Sequence, residues 1–201
     1  MAYKLEFNFT GSWVEYEAAI DDLTKTEVLY KDLKPADSTV SCTLTPDTAL
    51  YNLLRGIGTS RIPARLYDGA AVIFTGYLRS NFQINKKQRL QPVKLELVTA
   101  SFLLKRKVWQ NIGYTSINVS TLLGHLLTSA GVTLYTLPTI AYTIPAFYVI
   151  AGEGETYHAY IERILYEYGY VGYFDETGRF ITHKLDPASV VTAQAFDGSN
   201  L

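Results

Sequence analysis

Three observations predict a β-dominated α+β chain, in which a compact barrel or sandwich precedes a small two-helix α+β unit. Residues 1–104 alternate apolar and polar positions in short runs separated by turn residues. Two later segments place apolar residues at helical spacing and end on glycine. The chain carries 16 Tyr and 21 Thr, types that fit a pleated, half-buried surface.

The elements follow in order. Tyr3, Leu5, Phe7 and Phe9 alternate with polar residues, which reads as a strand ended by Gly11-Ser12. Glu27–Tyr30 and Thr39–Leu44 are further strands. Pro46-Asp47-Thr48 opens a short helix, capped by Asp47 or Thr48, with Leu50, Leu53 and Leu54 as its apolar face. Ile62–Tyr67 and Ala71–Leu78 flank Asp68-Gly69, a hairpin signal. Asn81–Asn85 and Gln91–Thr99 flank a charged tip, Lys86-Lys87-Gln88-Arg89. Lys105-Arg106-Lys107, then Asn111 and Gly113, read as a linker over 105–116. A helix follows, capped by Ser120, with Val119, Leu122, Leu123, Leu126, Leu127 and Ala130 on one stripe and Gly131 as its stop. Pro138 and Pro145 mark a loop, and Phe147–Ile150 reads as a strand. A second helix carries Tyr157, Tyr160, Ile161, Ile164, Leu165 and Tyr168, and stops at Gly169. Tyr170–Phe174 and Arg179–His183 flank Asp175-Glu176-Thr177-Gly178 as a third hairpin. After Pro187, Val190–Phe196 reads as one more strand without a following partner, the pattern of an N-terminal portion of a longer protein.

Length and charge limit the function classes. The 201 residues hold one large domain or two small ones. Eighteen Lys and Arg against nineteen Asp and Glu leave a net charge of −1. That excludes binding of nucleic acid through bulk positive charge and an acidic disordered tail. The charged fraction of 18% is low. The deficit is local: residues 1–104 hold 12 basic and 11 acidic residues, whereas Val108–Gly152 holds no Asp, Glu, Lys or Arg over 45 residues. Such a stretch is expected to pack inside the α+β unit or against another subunit, and high exposure there counts against an assembly role. The longest strictly apolar run, Ala146–Ala151, is far short of a membrane span. Met1–Glu6 alternates and carries charge early, unlike a signal peptide.

No chemistry-bearing constellation emerges. Cys42 is the only cysteine and lies in a strand pattern, a buried structural thiol. His125, His158 and His183 form neither HExxH nor HxH. Glu153 and Glu155 favour a helix N-terminus, and with Glu162 and Glu167 they offer the acidic pair a hydrolase would need. Gly152-Glu153-Gly154-Glu155 has no lysine and would repel phosphate. No catalytic, cofactor-binding or metal-binding residue is expected, and the chain reads as a non-enzyme.

The order of pieces resembles the phage tail baseplate hub family, which includes the contractile-phage hub, prophage tail proteins and the hub portion of type VI secretion spikes. The likeness rests on the hairpin Arg65–Leu78 with its Phe74-Thr75-Gly76, the helix Val119–Leu123 ending in Ala130-Gly131-Val132, and Gly154-Glu155-Thr156-Tyr157 opening a helix to Tyr168-Gly169-Tyr170. It ends with Phe174-Asp175-Glu176-Thr177-Gly178-Arg179-Phe180-Ile181. The resemblance implies a tube-type β-barrel at 1–104, the linker, a small α+β domain at 117–185, and the start of a truncated second barrel at 186–201. It also implies a homotrimer for the full-length chain, contacts with tail tube and spike or baseplate proteins, DNA only as transiting cargo, and no stable membrane insertion. The implied location is the virion tail or baseplate, after synthesis in the bacterial host cytoplasm. The competing readings are a carbohydrate- or surface-binding module using exposed Tyr and Trp (Trp13, Trp109) and a hydrolase using Glu155 or Glu162.

Overall fold

The computed structural model describes residues 3–9, 11–24, 28–29, 34–35, 38–44, 49–50, 52, 54, 61–79, 93–108, 111–149 and 155–185. Six strands close a barrel: β1 (Tyr3–Asn8), β2 (Trp13–Thr24), β5 (Thr39–Leu44), β8 (Val93–Val98), β7 (Ala71–Leu78) and β6 (Pro63–Asp68), in that spatial order. Antiparallel pairing of β6 with β1, Leu66 opposite Leu5, closes the ring. Closure removes the open edges that a sandwich would leave. The short strands β3 (Val28–Leu29) and β4 (Lys34–Pro35) pair with each other.

Alternation selects the interior. Leu5 and Phe7, Val40, Cys42 and Leu44, Ala64 and Leu66, and Leu95 and Leu97 all point inward and are buried. Helical residues Leu50 and Leu54 join this core. The register shifts once between Ile20 and Asp22 of β2 and once between Leu66 and Tyr67 of β6. Irregularities of this kind sharpen strand twist and help a small barrel close. Strand β2 is a finding that the sequence reading did not contain. Its inward positions Tyr16, Ala18 and Ile20 are only half-buried, and Glu15 and Glu17 interleave, so the apolar signal is weak.

The second core belongs to the α+β part. Helix α1 (Ser101–Leu104) leads from the barrel. Strand β9 (Ile112–Asn118) then pairs antiparallel with β11 (Thr143–Val149). The segment expected as a linker over 105–116 therefore runs into a strand, and Pro145, expected in a loop, sits inside one. A proline is tolerated there because β11 is an edge strand. Helix α2 (Val119–Ala130) is capped by Asn118, whose side chain accepts a hydrogen bond from the Ser120 backbone N–H at 2.9 Å. Ser120 was the expected cap. Its hydroxyl instead donates to the Pro138 carbonyl and accepts from the Ile140 N–H, pinning the returning loop. Gly131 ends α2 at φ 94°, a left-handed conformation that glycine adopts without strain.

Helix α3 (Tyr157–Glu167) is capped by Thr156 and buries Tyr157, Tyr160, Ile161, Ile164 and Leu165. Strand β10 (Tyr135–Thr136) runs parallel to β13 (Phe180–Lys184), and β13 pairs antiparallel with β12 (Tyr170–Phe174). The 62–78 and 170–183 hairpins stand close to their expected bounds. The 81–99 hairpin tip, Leu53, the Asp47/Thr48 cap and the 190–196 strand lie outside the described residues.

The two cores meet at a defined joint. The guanidinium of Arg61 sits 3.9 Å from the Phe102 ring centroid. Phe102 in turn meets Tyr77 edge-on at 5.3 Å. Burial and the neighbouring Arg106 lower the pKa of Arg61, while Tyr77 opposes the shift. On the far side, the tip of the β12–β13 hairpin brings Gly178 against Thr75 of β7.

Candidate interaction surface

The uncharged stretch divides in two. Its helical half fills the core: Leu122, Leu123, Leu126 and Leu127 are completely buried. Its strand half does not. On the β9–β11 ribbon, Ile112, Tyr114, Ile117, Ile144 and Phe147 pack against the core. Gly113, Thr115, Ser116, Thr143, Pro145, Ala146 and Tyr148 face outward. Tyr148 is 63% exposed and Tyr142 52%. Gly113 lies opposite Tyr148, and a Cβ there would stand 3.3 Å from the tyrosine ring, so the glycine lets the ring lie over the strand. The single chain thus exposes a face of hydroxyls, methyls and tyrosine with no formal charge. That exposure is contrary to the expectation that the stretch packs away, and in the single chain it counts against an assembly role.

The ribbon suits contact through its face better than strand addition at its edge. Among the described residues β9 and β11 pair only with each other. Pro145 has no N–H to offer, and Ser116 opposite it adopts φ 51°, which breaks the regular row of backbone donors.

The residues considered for chemistry are scattered. Glu155 pairs with Arg163 at 3.1 Å, and Glu162 lies 3.6 Å from His158. Each carboxylate therefore faces a basic partner rather than the other acid. His125 is an exposed helix residue whose ring lies 5.6 Å from that of Tyr114, and His183 is exposed on β13. Cys42 is buried in the barrel. Among the described residues no group of three His, Cys, Asp or Glu could hold a metal ion. Among the described residues no helix is long and apolar enough to cross a membrane. Trp13 has one face covered by the Arg65 guanidinium, 4.2 Å from the ring centroid, which removes that face as a sugar platform. Tyr142 and Tyr168 meet at 44°, too tilted to form one flat shelf. Trp109 and Glu153 lie outside the described residues.

Burial raises the pKa of three tyrosines around this unit. For Tyr114 desolvation leads and Tyr157 adds to it; for Tyr157 desolvation leads against Arg106; for Tyr168 desolvation leads, with Glu167 and Tyr142 in the same direction.

The deciding observation is a comparison of whole folds. The chain superposes on the 43 kDa tail protein of prophage MuSo2 from Shewanella oneidensis over 90% of its length, at TM-score 0.59 and 10% identity. It has the fold of phage tail proteins. A tail protein from Neisseria meningitidis MC58 matches over 90% of this chain at TM-score 0.57 and 12% identity. An Escherichia coli component of the type VI secretion system, described as structurally similar to the T4 tail proteins gp27 and gp5, matches over 94% at TM-score 0.52 and 14% identity. The chain spans about half the length of these structures, 52%, 51% and 47% respectively. No family model matches the sequence, and no curated protein matches it. The likeness is one of fold, at 10%, 12% and 14% sequence identity.

Proposed function

We propose that this chain is a structural, non-enzymatic hub component of a phage-tail-like injection machine, adapting the tail tube to the spike through ring assembly. The observation that carries the reading is the match of nine-tenths of the chain to tail proteins from two bacteria. The division into a barrel (1–104) and an α+β domain (117–185), with 186–201 opening a second barrel, belongs to the same proposal. So do the homotrimer of the full-length chain, the tube and spike or baseplate partners, DNA as passing cargo, and a place in the virion tail.

The uncharged ribbon, exposed in the single chain, fits this reading only as a surface that ring assembly covers. A ring of identical subunits must bury the same surface on each copy. Burying charge at such a surface is costly unless every charge finds a partner. A face of Thr, Ser, Ala and Tyr avoids that penalty. The test is sedimentation and electron microscopy of the full gene product. Closed rings are expected, and Ala146→Glu or Tyr148→Glu should release monomers whose circular dichroism is unchanged. A full gene product that stays monomeric and forms no ring particles would refute the reading.

A further inference from the structure

We propose that the cleft between the barrel and the α+β unit is a docking pocket for a partner protein segment in which an apolar side chain stands next to a carboxylate. The cleft is a hollow of about 150 Å³ that opens to solvent. A cavity of about that size holds one benzene-sized group, whereas pockets for free metabolites and drugs run to roughly 300–1,000 Å³. The fit is therefore to a single side chain. Trp13 and Pro63 of the barrel form one wall, Leu103, Val132 and Leu134 the other. Leu134 is 52% exposed, an apolar residue left open beside an apolar hollow.

The pocket is built in advance. The same joint that joins the two cores holds its walls: Gly178 against Thr75 at one side, Phe102 between Arg61 and Tyr77 at the other. A preformed hollow avoids the ordering cost that weakens docking on flexible surfaces.

Charge selects the occupant. Arg65 lines the same cleft, stacked on Trp13. Glu6 is its cross-strand neighbour, yet the Glu6 carboxylate accepts a hydrogen bond from the Tyr67 hydroxyl at 2.9 Å. Among the described residues Arg65 takes part in no ion pair. The Tyr67 hydroxyl also accepts a hydrogen bond from the Arg65 side chain, and the remaining N–H groups along the guanidinium edge are the donors left for an incoming carboxylate. An apolar group for the hollow and a carboxylate for Arg65 must therefore arrive together.

The probe is a capped tetrapeptide, Ser-Phe-Asp-Ser, titrated into the 15N-labelled chain. The readout is the indole N–H resonance of Trp13, assigned by its disappearance in Trp13→Phe. Millimolar binding is expected. Replacing Phe by Ala or Asp by Asn in the peptide should each weaken it about tenfold, the effect of about 1.4 kcal/mol. Arg65→Gln should abolish the Asp preference while keeping the Phe preference. Leu134→Ser should do the reverse. Equal binding of all three peptides, or no shift of Trp13 in a chain whose remaining spectrum is native, would overturn the proposal. Phenylacetate binding as tightly as the peptide would assign the pocket to a free small molecule and overturn it too.

Discussion

Gly76→Ala should be among the most damaging single-methyl additions to this chain. Gly76 lies in β7, where β7 crosses to β8. A Cβ built on it falls well inside contact with the Val98 carbonyl oxygen, 2.9 Å from the Val98 carbonyl carbon and 2.8 Å from the Phe74 ring. The Phe74 ring can turn. The Val98 backbone cannot, because Tyr77 and Leu78 pair with Val98 and Leu97 and hold β8 in the closed barrel. Overpacking costs about 1–3 kcal/mol where side chains absorb it. Here a backbone carbonyl must move, so about 3 kcal/mol is expected, a fall in Tm of roughly 6–12 °C for a chain of this size. Thermal unfolding followed by near-ultraviolet circular dichroism measures it. Gly113→Ala is the control, since its Cβ meets only the exposed Tyr148 ring at 3.3 Å, which can swing outward. A Gly76→Ala Tm within about 2 °C of the parent, or equal to that of Gly113→Ala, would refute the argument that close backbone approach requires this glycine.

Other outcomes follow from the α+β unit. Leu123→Ala removes a side chain with no exposure and should cost about 3–5 kcal/mol in urea unfolding, unlike Thr121→Ala on the exposed side of α2. Asn118→Ala should cost about 1–2 kcal/mol, because it removes the cap of α2 and also the side-chain N–H donated to the Ile140 carbonyl at 2.9 Å; Asn118→Ser, which keeps a capping oxygen without setting a charge against the Ile140 and Tyr142 carbonyls, should lose less. Tyr157 is 2% exposed with its pKa raised by burial. Between the unfolded and folded pKa values the native state holds more protons, so this contribution is complete below about pH 10 and is lost as pH rises through the raised value. Tyr157→Phe should flatten the alkaline fall in stability, and an unchanged slope in pH-dependent urea titrations would show that Tyr157 does not contribute.

Much of the architecture was legible because local rules and tertiary packing agree. The Tyr3–Phe9 alternation, the Leu stripe of 119–130 ending at Gly131, and the Asp68-Gly69 turn each specify an element without help from distant residues. Strand β9 was not legible, because Asn111, Gly113 and Ser116 break its pattern and it becomes a strand through β11. The Asn118 cap was mistaken by two residues because Asn118 and Ser120 are both good caps. Only the loop returning through Pro138 and Ile140, which engages the Ser120 hydroxyl, separates them.

The sequence alone determined composition, polarity and period: a barrel-sized set of alternating strands, two amphipathic helices, and one stretch without charge. Tertiary structure decided closure and exposure. Whether six strands form a sandwich or a barrel depends on Leu66 meeting Leu5 across 61 positions, a pairing no local window contains. Which half of the uncharged stretch is core and which is surface depends on the pleat of β9 against β11, since alternate residues of a strand point to opposite faces and only packing chooses between them.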